Sequence, residues 1–371
     1  MRRRDFIRAG AAAAVLRAQS GPRGRIESLA VISRDPEHYH GWPTLAARRN
    51  GELLLAYSGG REAHVCPFGR VELMRSRDGG RNWTWPEVVM DSPIDDRDSG
   101  VVETPAGSLL VTTFTSLAYE PVLKAASGWP PEKMARWQAV QLRTTPEQRR
   151  GLLDTWMLRS TDADMTWSAP YRVPVNSPHG PVPLADGRLL YVGKQLWQPG
   201  TRVGVCESSD DGRTWRWLAE IPVRPGDSMA QYHELHAVEA GDGRIVVHIR
   251  NQNPRNQGET LQAESADGGR TWTMPHSIGV WGLPSHLLRL RDGRLLMTYG
   301  YRRAPFGNQA RLSADHGATW SEPMVISDDG ASGDLGYPST VELEGGRLLT
   351  VWYESLKGSP HAVLRQARWS L

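Results

Sequence analysis

SRDGGRNW, Ser76 to Trp83, is the first of five copies of one eight-residue phrase, and reading that phrase fixes the fold class. The others begin at Ser160 (STDADMTW), Ser208 (SSDDGRTW), Ser265 (SADGGRTW) and Ser313 (SADHGATW). Each reads as a tight β-hairpin in which the Asp carboxylate accepts from turn amides, Gly supplies positive φ, and Trp packs under the next strand. Successive copies lie 84, 48, 57 and 48 residues apart, the period of a repeated small sheet rather than of a helical solenoid.

A second repeat is interleaved with the first. A Gly-centred turn followed by an apolar run occurs at Gly51, Gly107, Gly187, Gly243, Gly293 and Gly346, which makes six units. Five of these turns are followed by the Ser/Asp/Trp phrase, so each unit reads as four short antiparallel strands. The expectation is an all-β, six-bladed β-propeller occupying residues 25–371 as one domain. The sixth unit offers only three strands, and the alternating segment Arg25 to Ser33 is expected to supply the fourth and close the ring. Residues 116–154 fit no strand pattern and read as an insertion in blade 2, beside the channel mouth.

Composition narrows the function classes. The formal charge is +3 with both signs scattered, so no basic stripe suggests a nucleic-acid partner. Residues 1–20 contain Arg3-Arg4-Asp5-Phe6 followed by a short apolar run, which reads as a twin-arginine signal sending the protein to the periplasm or outside the cell. With that segment removed, no membrane span is expected, and the protein is expected as a monomer. The two cysteines, Cys66 and Cys206, fall in different blades and are not expected to pair. No His/Cys spacing suggests a metal site, and no cofactor is expected.

The inner strand of every blade starts at one end of the channel, so substrate-facing residues should recur at fixed offsets from the turn Gly. Nine positions before it stand Trp42, Asp98, Pro178, Glu234, Pro284 and Tyr337. Seven before stand Thr44, Gly100, Gly180, His236, His286 and Ser339; seven after stand Ser58, Phe114, Lys194, Arg250, Gly300 and Tyr353. Acids, a phenol, Lys194, Arg250 and two histidines thus converge on one rim, the usual picture of a ligand site. The box residues Asp78, Asp162, Asp210, Asp267 and Asp315 sit on hairpins at the opposite end and are expected to be structural.

The boxes, the six turns and this rim together resemble the bacterial sialidase (neuraminidase) superfamily. The resemblance implies a Tyr nucleophile polarised by a Glu, three Arg holding a sugar carboxylate, and an Asp acid/base. Glu234 in YHELHAV and Arg250 in VVHIRNQN match the fourth-blade pair, Arg302 or its neighbour Arg303 the fifth-blade Arg, and Tyr337 in Gly-Tyr-Pro-Ser the sixth-blade Tyr. Arg61 matches a further first-blade Arg. The first blade otherwise departs from the pattern: His40-Gly41-Trp42-Pro43 lacks the Arg of Phe-Arg-Ile-Pro, and Glu62 to Pro67 contains no Asp. Glu62, His64 or Asp98 would then have to supply the acid, with His64 and Asp98 ranked equally ahead.

The expected function is an exported glycosidase acting on a carbohydrate with a terminal acidic sugar. Tyr337, Glu234, Asp98 and His64 would be catalytic, and Arg61, Arg250, Arg302, Arg303, Lys194, His236 and His286 would bind substrate. A phenol needs such a base, because its ordinary pKa near 10 leaves it a poor nucleophile at neutral pH. The alternatives are a lyase on uronic-acid glycans using Tyr337 with His236 or His286, and a non-catalytic glycan-binding propeller.

Overall fold

A computed structural model describes residues 24–371 except 36, 164 and 199. The twin-arginine signal expected at 1–20 lies outside the described residues. Six four-stranded antiparallel sheets stand around one axis. Their inner strands are Tyr39–Ala47, Asp95–Glu103, Val182–Pro183, Tyr232–Glu239, Ser285–Arg289 and Leu335–Glu342. In blade 6 the outer strand is Arg25–Val31, which pairs antiparallel with Ala362–Ser370 and so ties the two ends of the described chain into one sheet.

Alternating apolar residues on successive strands bury themselves between neighbouring blades. At the closing seam, Leu55 and Met74 of blade 1 pack in one cluster with Leu349 and Val351 of blade 6. The boxes fix the hairpins that frame these layers. In the fourth, Asp267 Oδ1 accepts from the Arg270 and Thr271 amides, each at 2.9 Å, and Oδ2 accepts from the Thr271 hydroxyl at 2.6 Å. The Thr271 hydroxyl and amide hold this carboxyl down at about 2. In the first box, Trp83 Nε1 donates to Gln366 Oε1 at 2.9 Å, fastening blade 1 to blade 6.

The insertion in blade 2 forms three short helices, α1 (Tyr119–Lys124), α2 (Pro131–Leu142) and α3 (Pro146–Gly151). Prolines at their first turns and a capping box at Thr145 and Gln148 start α2 and α3. Tyr119, Leu123 and Trp137 bury their rings and side chain against Cys66 and Ile94, so the helices stand as a wall against the blade 1 loop. Cys66 and Cys206 are buried free thiols.

Candidate active site at the propeller mouth

Four inner strands carry a residue in the left-handed region near their mouth end: Trp42 (φ 53°), Asp98 (47°), Glu234 (45°) and Tyr337 (53°). Such a backbone costs a non-glycine residue about 1–2 kcal/mol. Each sits at a break in strand register, between Gly41 and Thr44, Arg97 and Gly100, His233 and His236, and Gly336 and Ser339. A bulge of this kind re-aims a side chain that simple alternation would direct elsewhere. Blades 3 and 5 carry Pro178 and Pro284 at the same offset, where the ring forbids positive φ, and their inner strands start only at Val182 and Ser285.

The bulges bring Tyr337 onto Glu234. The Tyr337 hydroxyl donates to Glu234 Oε1 at 2.5 Å, and Arg250 Nη1 lies 2.5 Å from Glu234 Oε2 and 3.4 Å from the hydroxyl. With its oxygen turned to the guanidinium, the Gln252 amide accepts from Arg250 Nε and Nη2 at 2.6 Å. Burial pushes Glu234 upward, yet Arg250 outweighs it and the carboxyl sits below its usual value. Burial, then Glu234 and Asp98, push the Tyr337 phenol well above its usual range. The hydroxyl is therefore protonated at rest and already bonded to an ionised base.

Asp98 behaves in the opposite way. It is buried, and desolvation followed by the Glu234 charge pushes its carboxyl up to about 7. Two carboxyl groups of one mouth are thus held apart in protonation, one ionised at neutral pH and one that gives up its proton only around pH 7. Arg97, adjacent in sequence, lays its guanidinium 4.4 Å from the Trp42 ring centroid, and its ion-pair contact with Asp95 is long at 3.7 Å. Arg302 stands 5.8 Å from the Tyr337 ring centroid, anchored through Nε to the Leu335 carbonyl at 3.0 Å. Lys194 Nζ donates to the Ala230 carbonyl at 2.7 Å and lies 3.3 Å from the His233 ring; burial brings it down to about 8.

His64 belongs to a second cluster on the same rim. Its Nδ1 is 2.9 Å from Asp334 Oδ1 and 3.0 Å from the Tyr39 hydroxyl, and the Tyr353 hydroxyl donates to Asp334 at 3.1 Å. Its ring meets the Trp42 ring edge-on at 5.0 Å, with Trp42 in turn 6.5 Å from Tyr337. Asp334, Arg97, Gln252 and Tyr39 were not singled out from sequence. Arg97 immediately precedes Asp98 within its inner strand and Asp334 immediately precedes the inner strand Leu335–Glu342, positions that the offset rule skips.

Several expected substrate contacts are placed elsewhere. Arg61 is fully buried, with Nη1 and Nη2 on the two Asp95 oxygens at 2.6 and 3.0 Å, so its charge is spent inside the protein between blades 1 and 2. His236 and His286 lie within the channel, not on the rim: they stack on each other at 4.5 Å, and His179 meets both edge-on. Gly100 and Gly180 line the same layer, where a Cβ on Gly100 would come within 2.7 Å of the Gly180 amide nitrogen. Arg303 is exposed, lies beyond the end of strand Leu295–Tyr301, and stacks its guanidinium on Trp281 at 3.6 Å. Glu62 is held by Trp137 Nε1 and Arg136 Nε, both at 2.9 Å. Among the described residues, no group of three or more His, Cys, Asp or Glu could hold a metal ion.

Residues 132–350 match the family profile described as BNR repeat-like domain. The chain belongs to that family. This BNR propeller is 27% identical over 354 residues to a sialidase of Micromonospora viridifaciens, covering 86% of this chain and 50% of that one. It is 27% identical over 211 residues to a xyloglucanase of a Paenibacillus species, covering 49% and 19%. The BNR propeller therefore spans about half the length of the first relative and about a fifth of the second. Among solved structures, a protein of unknown function from Dyadobacter fermentans shares its fold with a TM-score of 0.77 and 25% identity over 94% of this chain and all of that one. A Hadza microbial sialidase, Hz136, does so with a TM-score of 0.63 and 18% identity, covering 89% and 65%. The fold is that of the bacterial sialidases.

Proposed function

We propose that the protein is an exported, retaining glycosidase of the sialidase type that removes a terminal acidic sugar. The observation that carries this reading is the 2.5 Å bond from the Tyr337 hydroxyl to Glu234, with Arg250 on the carboxylate's other oxygen. As the Tyr337 oxygen attacks the anomeric carbon, Glu234 takes the phenolic proton. Asp98, which keeps its proton up to about pH 7, gives it to the departing glycosidic oxygen. Water then attacks the tyrosyl-sugar bond, Asp98 takes a proton from that water, and the phenol leaves with the proton returned by Glu234. Two displacements at one carbon retain its configuration.

Arg97, Arg250 and Arg302 surround this centre with positive charge, and Arg250 also fixes the Glu234 rotamer. That charge favours an acidic sugar. A phenol, unlike a carboxylate, carries no charge that such a sugar's acid group would repel. The lyase reading loses support from the burial of His236 and His286 in the channel. Burial also keeps both histidines neutral, His236 well below and His286 at about 3.

The test is Tyr337→Phe, assayed on sialosides and on uronide-bearing oligosaccharides. Turnover should fall by several orders of magnitude, since an activated nucleophile is removed while the fold is kept. Full activity in that variant would remove Tyr337 from the chemistry. An unsaturated product from the unaltered protein would choose elimination over hydrolysis.

A further inference from the structure

A groove at the end opposite Tyr337, across the seam between blades 1 and 6, has a volume of about 1430 Å³. The inner-strand turn at Asn50 and Gly51, the first box at Asp78 and Gly79, and the turn at Glu344 line it, together with eight arginines. Those arginines fall into two sets. Arg48 and Arg77 each bond Glu52, at 2.6 and 3.1 Å, Arg49 lies 3.4 Å from Glu103, and Arg75 bonds Glu87 at 3.2 Å. Arg81, Arg291, Arg347 and Arg368 have no carboxylate ion pair among the described residues.

Backbone carbonyls hold part of this second set. Arg81 Nη1 donates to the Asp78 carbonyl at 3.1 Å, Arg291 Nη1 to Leu343 at 2.9 Å, and Arg368 Nη1 to Gly79. The box carboxylate closest to them, Asp78, is spent on its own hairpin, accepting from the Arg81 and Asn82 amides at 3.0 and 2.9 Å. Burial lowers the Arg368 pKa, and Arg81 and Arg347 lower it further against the pull of Glu27 and Asp78. A guanidinium that its neighbours disfavour gains most when an outside anion arrives.

We propose that this groove binds an acidic polysaccharide through its sulfate or carboxylate groups, as a second glycan site separate from the mouth. Its volume exceeds the roughly 300–1000 Å³ usual for a small-molecule pocket, which suits several sugar units. Planar guanidinium forks match oxyanions two bonds at a time. Among the described residues no aromatic ring lines the groove to stack nucleobases, the usual means of holding single strands. Interspersed Glu87, Glu342 and Glu344 suit spaced oxyanions better than a continuous phosphate backbone. The inference does not depend on the chemistry proposed at the mouth.

The experiment is calorimetric titration of the full chain with a heparin hexasaccharide at low and moderate salt, set beside Arg81→Gln/Arg347→Gln and a control pair, Arg143→Gln/Arg213→Gln. All four positions are exposed, so the variants fold, and both pairs change net charge equally. The unaltered protein and the control pair should bind alike, with affinity falling as salt rises, and the groove pair should bind roughly tenfold more weakly. Absence of binding by the unaltered protein, or equal loss in both pairs, would overturn the site. A single-stranded oligodeoxynucleotide of equal charge binding as tightly as the hexasaccharide would overturn the ligand class.

Discussion

Replacing Asp98 by Asn keeps the shape of a buried side chain while removing its titration. Desolvation and the Glu234 charge raise the Asp98 carboxyl from 3.8 to about 7 in the folded protein. Because the folded value lies above the unfolded one, the group favours folding fully below about pH 4 and loses that contribution as pH rises through 7. The loss amounts to roughly three pH units at about 1.4 kcal/mol each, near 4 kcal/mol in total. Asn has no proton to lose, so the variant should gain on the unaltered protein as pH rises. About two-thirds of that gap should open between pH 5 and pH 8.5 in urea unfolding followed by tryptophan fluorescence. A gap that stays constant across this range, or that closes with rising pH, would show that Asp98 is ionised when folded. The same measurement bears on catalysis without requiring the sugar to be known. An Asp98 that keeps its proton to about pH 7 can act as a general acid, and turnover should decline along an alkaline limb near that value.

Two further outcomes follow from the neighbours of this centre. Arg97→Gln removes a positive charge that lowers the Asp98 pKa, so the alkaline limb should move to higher pH; KM for an acidic sugar should rise about tenfold while KM for a neutral aryl glycoside holds, and an unchanged limb and unchanged KM would place Arg97 outside the site. Trp137→Ala empties a fully packed position between α2 and the blade 1 loop and breaks its bond to Glu62, a loss of about 3–5 kcal/mol felt mainly by the insertion. Limited proteolysis should then cut within residues 117–154 well below the melting temperature, whereas resistance equal to that of the unaltered protein would contradict the packing argument.

The propeller could be read from sequence because its determinants are local and repeated. A box such as SADGGRTW supplies its own acceptor, donors and turn glycine within eight residues, so the hairpin follows from the phrase alone. The fixed offset from the turn Gly placed Asp98, Glu234 and Tyr337 at one end of the channel for the same reason, since in blades 2, 4 and 6 the inner strand ends four residues before that Gly. Arg61 shows where that rule stops. Its place at the end of a first-blade strand is readable, but its partner Asp95 comes from another blade, and only tertiary packing decides whether a guanidinium faces solvent or an internal carboxylate. The histidines fail similarly: His236 and His286 share an offset with Gly100 and Gly180, and small residues on two blades let rings from the others fill the axis.

The left-handed residues connect these observations to function. Glycine would adopt φ near 50° at little cost, and the chain uses it freely at its outer turns, yet at the mouth it places Trp42, Asp98, Glu234 and Tyr337 in that conformation. Four strained positions at about 1–2 kcal/mol each are a large fraction of the 5–15 kcal/mol by which domains are usually stable. Packing alone does not require them, because blades 3 and 5 form their sheets from prolines at the same offset. What the strain secures is direction. A bulge turns each side chain toward the axis, where a phenol, an ionised carboxylate and a protonated one come within each other's electrostatic reach. Strain retained where the sheet does not need it is the mark of a site that the rest of the fold holds in place.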